Sequence, residues 1–195
     1  MVQTQDELFQ GIRQYNTNER KIEYIENEIK KGMKTELKIT ALVLMADIYK
    51  NKKWYNSAAK HYCSAADLAP TFREKIDLYF KTAVMFLQID DYFSADDNFR
   101  KVLVLASSEQ KPKIQEKMNE LYIERAEKYY NEKYYTKAIK TFSKVLSLKL
   151  PREKMLQVYD KLSELYEKIG KPREASQIKV QKENFLETDQ KKTES

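Results

Sequence analysis

The chain has 195 residues, with 36 lysines and arginines against 30 aspartates and glutamates, a net charge of +6, three glycines, four prolines and one cysteine. So few turn formers argue against a sheet-rich fold, a lone cysteine makes no internal disulfide and points to a reducing compartment, and the longest apolar stretch, around Ile39 to Ala46, falls far short of the roughly 20 residues a membrane span needs. The only histidine, His61, is two residues from Cys63 and on a different helical face, and no glycine-rich loop can cradle phosphate, so no catalytic set, cofactor or metal site is expected.

Residues Met1 to Glu7 carry no basic segment leading into an apolar run, so no secretory signal is expected and a cytoplasmic location is. Leu8, Ile12 and Tyr15, then Ile22, Ile25 and Ile29, space as two amphipathic helices separated by Asn16 to Asn18. They predict a capping hairpin, or degenerate repeat, over residues 1–38. The next stretch, 39–72, sets Leu42, Met45, Ala46 and Tyr49 at spacings of three and four, followed by Ala58, Tyr62 and Ala65. Each set falls on one face of a helix. Thr71 with Glu74 then reads as a capping box opening another helix just beyond Pro70.

Over 76–109 the same order returns as Tyr79, Ala83, Phe86, Ala95, Phe99 and Val102. Ser107 to Lys113, with Pro112, reads as a polar linker. Residues 119–152 repeat the order with Tyr122, Ala126, Tyr129, Ala138, Phe142 and Val145, and Pro151 suits the first turn of the following helix. The last unit, 156–185, keeps Tyr159, Ser163, Tyr166 and Ala175. Polar residues from Leu186 predict a flexible tail over 186–195. Small residues twelve positions apart let paired helices approach closely while aromatics fill the grooves beside them. The high tyrosine content is therefore packing.

Four such units in one order resemble the tetratricopeptide repeat, whose pattern places a large residue, a small residue and an aromatic on one helix and A-x3-F on the next. The first unit, ending at Pro70, matches most fully. Corresponding residues recur after 37, 43 and 37 positions, whereas the family period is about 34, so longer helices or linkers are expected. The resemblance implies an all-α solenoid of stacked antiparallel hairpins, and a noncatalytic scaffold, adaptor or chaperone that binds a peptide or helix in a concave groove.

By the same resemblance the first helix of each unit lines that groove. The candidate wall is Val43, Leu44, Asp47, Phe80, Val84, Leu87, Glu120, Ile123, Glu124, Glu127, Tyr130, Asp160 and Glu164, apolar at one end and acidic at the other. It suits a partner with apolar and basic segments. Val43 and Asp47 stand where chaperone-tail receptors of the family carry lysine and asparagine, which argues against that ligand. A second candidate surface is Lys133, Lys137, Lys140 and Lys144, spaced four, three and four, in a segment to Lys154 whose only acid is Glu153. Such a stripe suits nucleic acid or another anionic surface, the alternative function.

Overall fold

A computed structural model describes residues 2–193, with side chains described as far as Glu187. The regular elements among them are ten helices: α1 (Gln5–Arg13), α2 (Asn18–Lys30), α3 (Thr35–Asn51), α4 (Tyr55–Leu68), α5 (Phe72–Gln88), α6 (Tyr92–Leu105), α7 (Gln110–Asn131), α8 (Tyr135–Leu146), α9 (Arg152–Lys168) and α10 (Pro172–Thr193). The chain divides into two compact units, Met1–Lys111 and Pro112–Ser195. Each is built of antiparallel hairpins, α1–α2, α3–α4 and α5–α6 in the first and α7–α8 and α9–α10 in the second. The fold class is all-α, of the helical-repeat solenoid kind.

Local chemistry starts the helices. The hydroxyls of Thr4 and Thr17 accept from the N–H groups of Glu7 and Arg20, opening α1 and α2. Thr71 and Glu74 form the expected capping box at α5. Asp91 caps α6 by accepting from the Ser94 N–H at 3.1 Å.

Four hairpins close through one turn. Seven residues beyond Ala46, Ala83, Ala126 and Ser163, the backbone enters the left-handed region at Lys53 (φ 60°), Asp90 (φ 61°), Lys133 (φ 61°) and Gly170 (φ 73°). The next N–H then reaches back five residues. Trp54 donates to the Tyr49 carbonyl (2.9 Å), Asp91 to Phe86 (3.1 Å), Tyr134 to Tyr129 (2.9 Å) and Lys171 to Tyr166 (2.8 Å). This is the bond that satisfies an orphan carbonyl at a helix end. It fixes where the second helix starts, so the small residues twelve apart face each other.

That pairing makes the core. In the first unit Ala46, Ala58, Ala59, Ala65 and Ala66 are buried with Leu42, Tyr62, Leu78 and Met85, joining α3, α4 and α5. Leu8, Ile22 and Ile25 pack with Met33, Leu37, Ala41 and Met45, so α1 and α2 dock on α3. Gly11 leaves room for Tyr24 there, because a Cβ on it would lie 2.0 Å from the Tyr24 hydroxyl oxygen and would force that ring to move. In the second unit Tyr122, Ala126, Ala138, Phe142, Leu162 and Leu165 are fully buried.

One expectation needs correction. The linker read over Ser107 to Lys113 is mostly helix, since α7 starts at Gln110. The Ser107 hydroxyl accepts from the Gln110 N–H (3.3 Å) while the Gln110 side-chain oxygen accepts from the Ser107 N–H (3.1 Å). This is a capping box, and Pro112 follows it near the start of α7. The extra length of the 43-residue step thus becomes a 22-residue α7 against 17 residues in α3, α5 and α9. Helix α10 runs through Thr193, into the segment expected as a tail, because nothing after Pro172 breaks a run rich in helix-forming glutamate, lysine and glutamine. Glu194 and Ser195 lie outside the described residues.

Candidate functional site

Unit 1 sets the wall residues of α3 and α5 on one helix face each. Val43 and Val84 are partly buried, their inner sides packed against the alanine-rich core. Phe80 lies edge-on to Phe99 at 5.4 Å between ring centroids. Leu44 turns instead toward α1 and packs with the Leu8–Ile25 cluster, and Gln5 Nε2 donates to Thr40 Oγ1 at 3.2 Å. Leu87 is not wall at all. It is 1% exposed, because its place on α5 falls next to Ala83, on the packed side of the helix. The N-terminal helices therefore cover one edge of α3, and their core includes none of Val43, Phe80 and Val84.

Asp47 is the polar centre of this face. It accepts hydrogen bonds from the Tyr62 hydroxyl and from Lys50 Nζ, the latter at 2.9 Å. Burial opposes its charge, yet those two donors, helped by the Lys81 ammonium, hold its carboxyl below the ordinary aspartate range. Burial and the same aspartate push the Tyr62 hydroxyl strongly up. Asp77 is paired with Lys81 at 2.7 Å. The acid and base of this face are thus largely spent on each other.

In unit 2 the α7 and α9 faces enclose an open concavity of about 210 Å³ lined by Glu120, Ile123, Glu124, Glu127, Phe142, Lys154, Gln157, Val158 and Lys161. Four expected wall residues meet here. The expected acidic character is largely neutralised, however, by lysines of α9. Lys154 lies 3.7 Å from Glu120, and Lys161 donates to Glu127 at 2.6 Å. Beyond them the Tyr130 hydroxyl donates to Glu164 at 2.6 Å, and Lys168 donates to both Glu164 (2.7 Å) and Tyr130 (2.8 Å). Lys168, then Tyr130, hold the Glu164 carboxyl below its ordinary range. Asp160 points away to Lys182 of α10 at 2.6 Å. Sequence reading missed Lys154 and Val158, although the signal was present. Glu120 and Lys154, Glu127 and Lys161, and Tyr130 and Glu164 are all 34 residues apart, three fewer than the 37-residue step between the small residues of α7 and α9.

The lysine stripe is only partly a helix face. Lys133 lies in the turn before α8 rather than on it, held at positive φ by the hairpin closure. Lys137 and Lys144 lie against tyrosines of α7, with Nζ 5.2 Å from the Tyr129 ring centre and 5.9 Å from that of Tyr122.

His61 stacks parallel on Tyr49, ring centres 5.2 Å apart, and burial lowers its pKa. Burial also raises the Cys63 thiol, the opposite of what a reactive thiolate requires. Among the described residues no group of three or more His, Cys, Asp or Glu is placed to hold a metal ion, and no helix is long and apolar enough to cross a membrane.

Residues 39–72 match the tetratricopeptide repeat family model. No curated protein matches the chain significantly. Solved structures with similarity include two of MamA, each 18% identical with a TM-score of 0.41, covering 91% of this chain and 92% and 85% of theirs. BtubC (BKLC) from P. vanneervenii is 13% identical with a TM-score of 0.37, covering 95% of this chain and 71% of its own. Residues 39–72, spanning α3–α4, thus form one tetratricopeptide repeat by family match, and the same small-residue pairs and hairpin turn recur in the three hairpins that follow, a helical-repeat architecture of the kind that serves protein interaction.

Proposed function

We propose that the chain is a noncatalytic adaptor that holds a segment of another protein on the faces left open by the first helix of each hairpin. The observation that carries this reading is the placement of α1 and α2. They dock on one edge of α3, and their core takes in Leu44, Ile48 and Tyr49 while Val43, Phe80 and Val84 stay outside it. A partly exposed apolar strip bordered by charged side chains is the usual footprint of a docking surface. Val43 and Val84 supply apolar area, while Asp47 and the paired charges around it set register.

The test is capture of partners on immobilised protein, comparing the unchanged chain with Val84→Glu, which adds a charge on the strip, and with Lys137→Glu/Lys140→Glu on α8. The partner held by the unchanged chain should be weakened about tenfold or more by the first variant, kept by the second, and retained as salt rises. Unchanged capture by Val84→Glu with native helical content rejects the reading. Loss confined to the lysine variant, with a steep salt dependence, would assign the binding to the anionic-surface alternative.

A further inference from the structure

The α7–α9 face carries a ladder with one rung missing. Three rungs join residues 34 apart, Glu120 to Lys154, Glu127 to Lys161 and Tyr130 to Glu164. The same offset sets Glu124 against Val158, a buried side chain with no charge to offer. Glu124 lines the concavity, is exposed, and among the described residues has no hydrogen-bond or ion-pair partner. Lys128, one turn along α7, lies instead at Glu132, 3.9 Å away. The concavity is therefore apolar at its floor, with Ile123, Phe142 and Val158, closed on two sides by neutralised Glu–Lys pairs, and left with one uncompensated carboxylate.

Resting on the adaptor reading above, we propose that this concavity takes a lysine or arginine side chain of the bound segment, its alkyl stem on Ile123 and Val158 and its charge on Glu124. The chain's own Lys161 already shows the chemistry. Its ammonium reaches Glu127 while standing 5.8 Å from the centre of the Phe142 ring, a cation set between a carboxylate and the aromatic part of the floor. A norleucine would gain the floor and lose the charge. An acidic side chain would meet Glu124 directly and be repelled.

The full chain, methyl-labelled, is titrated with the blocked tripeptide acetyl-Leu-Lys-Leu-amide and with its norleucine counterpart, reading the Ile123 and Val158 methyl resonances. The lysine peptide should give saturable shifts, weakened about fivefold by norleucine and by Glu124→Gln, the worth of one exposed ion pair. Glu124→Gln removes no hydrogen bond or ion pair among the described residues and keeps the side chain's size, so native folding is expected. Val158→Lys, which would supply the missing rung in cis, should abolish the Ile123 shift where its methyl spectrum is otherwise native. Absent shifts, equal shifts from both peptides, or indifference to Glu124→Gln overturn the proposal. A captured partner that is lost on Val84→Glu yet indifferent to Glu124→Gln overturns this pocket and leaves the adaptor reading standing. A partner indifferent to both overturns the two together.

Discussion

The repeated hairpin turn makes a prediction whose sign is opposite to that of ordinary helix chemistry. At positions 53, 133 and 170 the backbone is held at φ 60°, 61° and 73°. Lys53 and Lys133 are exposed, and a Cβ at Gly170 meets nothing within 4 Å, so side-chain packing does not enter. A residue with a Cβ in this region is strained by about 1–2 kcal/mol. Glycine gives back roughly 0.4–1 kcal/mol through the greater freedom of its unfolded chain. At each site the glycine form should therefore be more stable than the alanine form by about 1 kcal/mol. Comparing glycine with alanine, rather than with lysine, cancels the favourable effect of a cation at a helix C-terminus. The assay is urea unfolding followed by far-ultraviolet circular dichroism, with Lys53→Gly, Lys53→Ala, Lys133→Gly, Lys133→Ala and Gly170→Ala. Lys60, exposed within α4, provides the inverted control, where alanine should exceed glycine by about 1 kcal/mol. Equal stability of the two forms at 53, 133 and 170, or alanine the better there, would refute the account of the turn.

The Ser163 hydroxyl is buried without a hydrogen-bond partner, in the position held elsewhere by Ala46, Ala83 and Ala126. Ser163→Ala should stabilise the second unit by about 1 kcal/mol in the same melts, and a loss of stability would contradict the assignment of that oxygen as unsatisfied. Burial lowers the His61 pKa from 6.5, with Glu26 opposing more weakly. The neutral form is favoured in the folded state, so its contribution is full above about pH 6.5 and declines as pH falls through the lowered value. His61→Phe should flatten the pH dependence of the urea midpoint between about pH 5 and 6.5, where carboxylates are still mostly ionised. Parallel profiles for the two proteins would exclude His61 as the source.

The helices, their pairing and their buried faces were legible because each rests on local spacing. Large and small residues three and four apart define a face, and Ala46 with Ala58, or Ala126 with Ala138, states which faces meet. The capping box at Thr71 was legible for the same reason. The one at Ser107 carries the same signal but lies beside Pro112, so the segment read as a linker. The turn left no mark in composition, since Lys53, Asp90 and Lys133 occupy positions that elsewhere favour glycine. Hydrogen bonds from the following N–H groups hold them there against the strain of a Cβ.

Which charges remain available was decided only by tertiary structure. Sequence spacing places Glu120, Glu124, Glu127 and Glu164 on open faces, but it aligns α7 with α9 through their small residues, 37 apart. Side chains of neighbouring helices meet at a different slide, 34 apart, and that slide brings lysines to Glu120 and Glu127 while setting Val158 against Glu124. Leu87 and Leu44 were likewise assigned from their helix alone, whereas burial depends on what lies beside the helix. The amino-acid sequence by itself determined the helices and their inner faces, because those follow from period and residue size. The free carboxylate, the covered leucines and the open apolar strip depend on the distance and slide between helices far apart in the chain, and packing alone sets these.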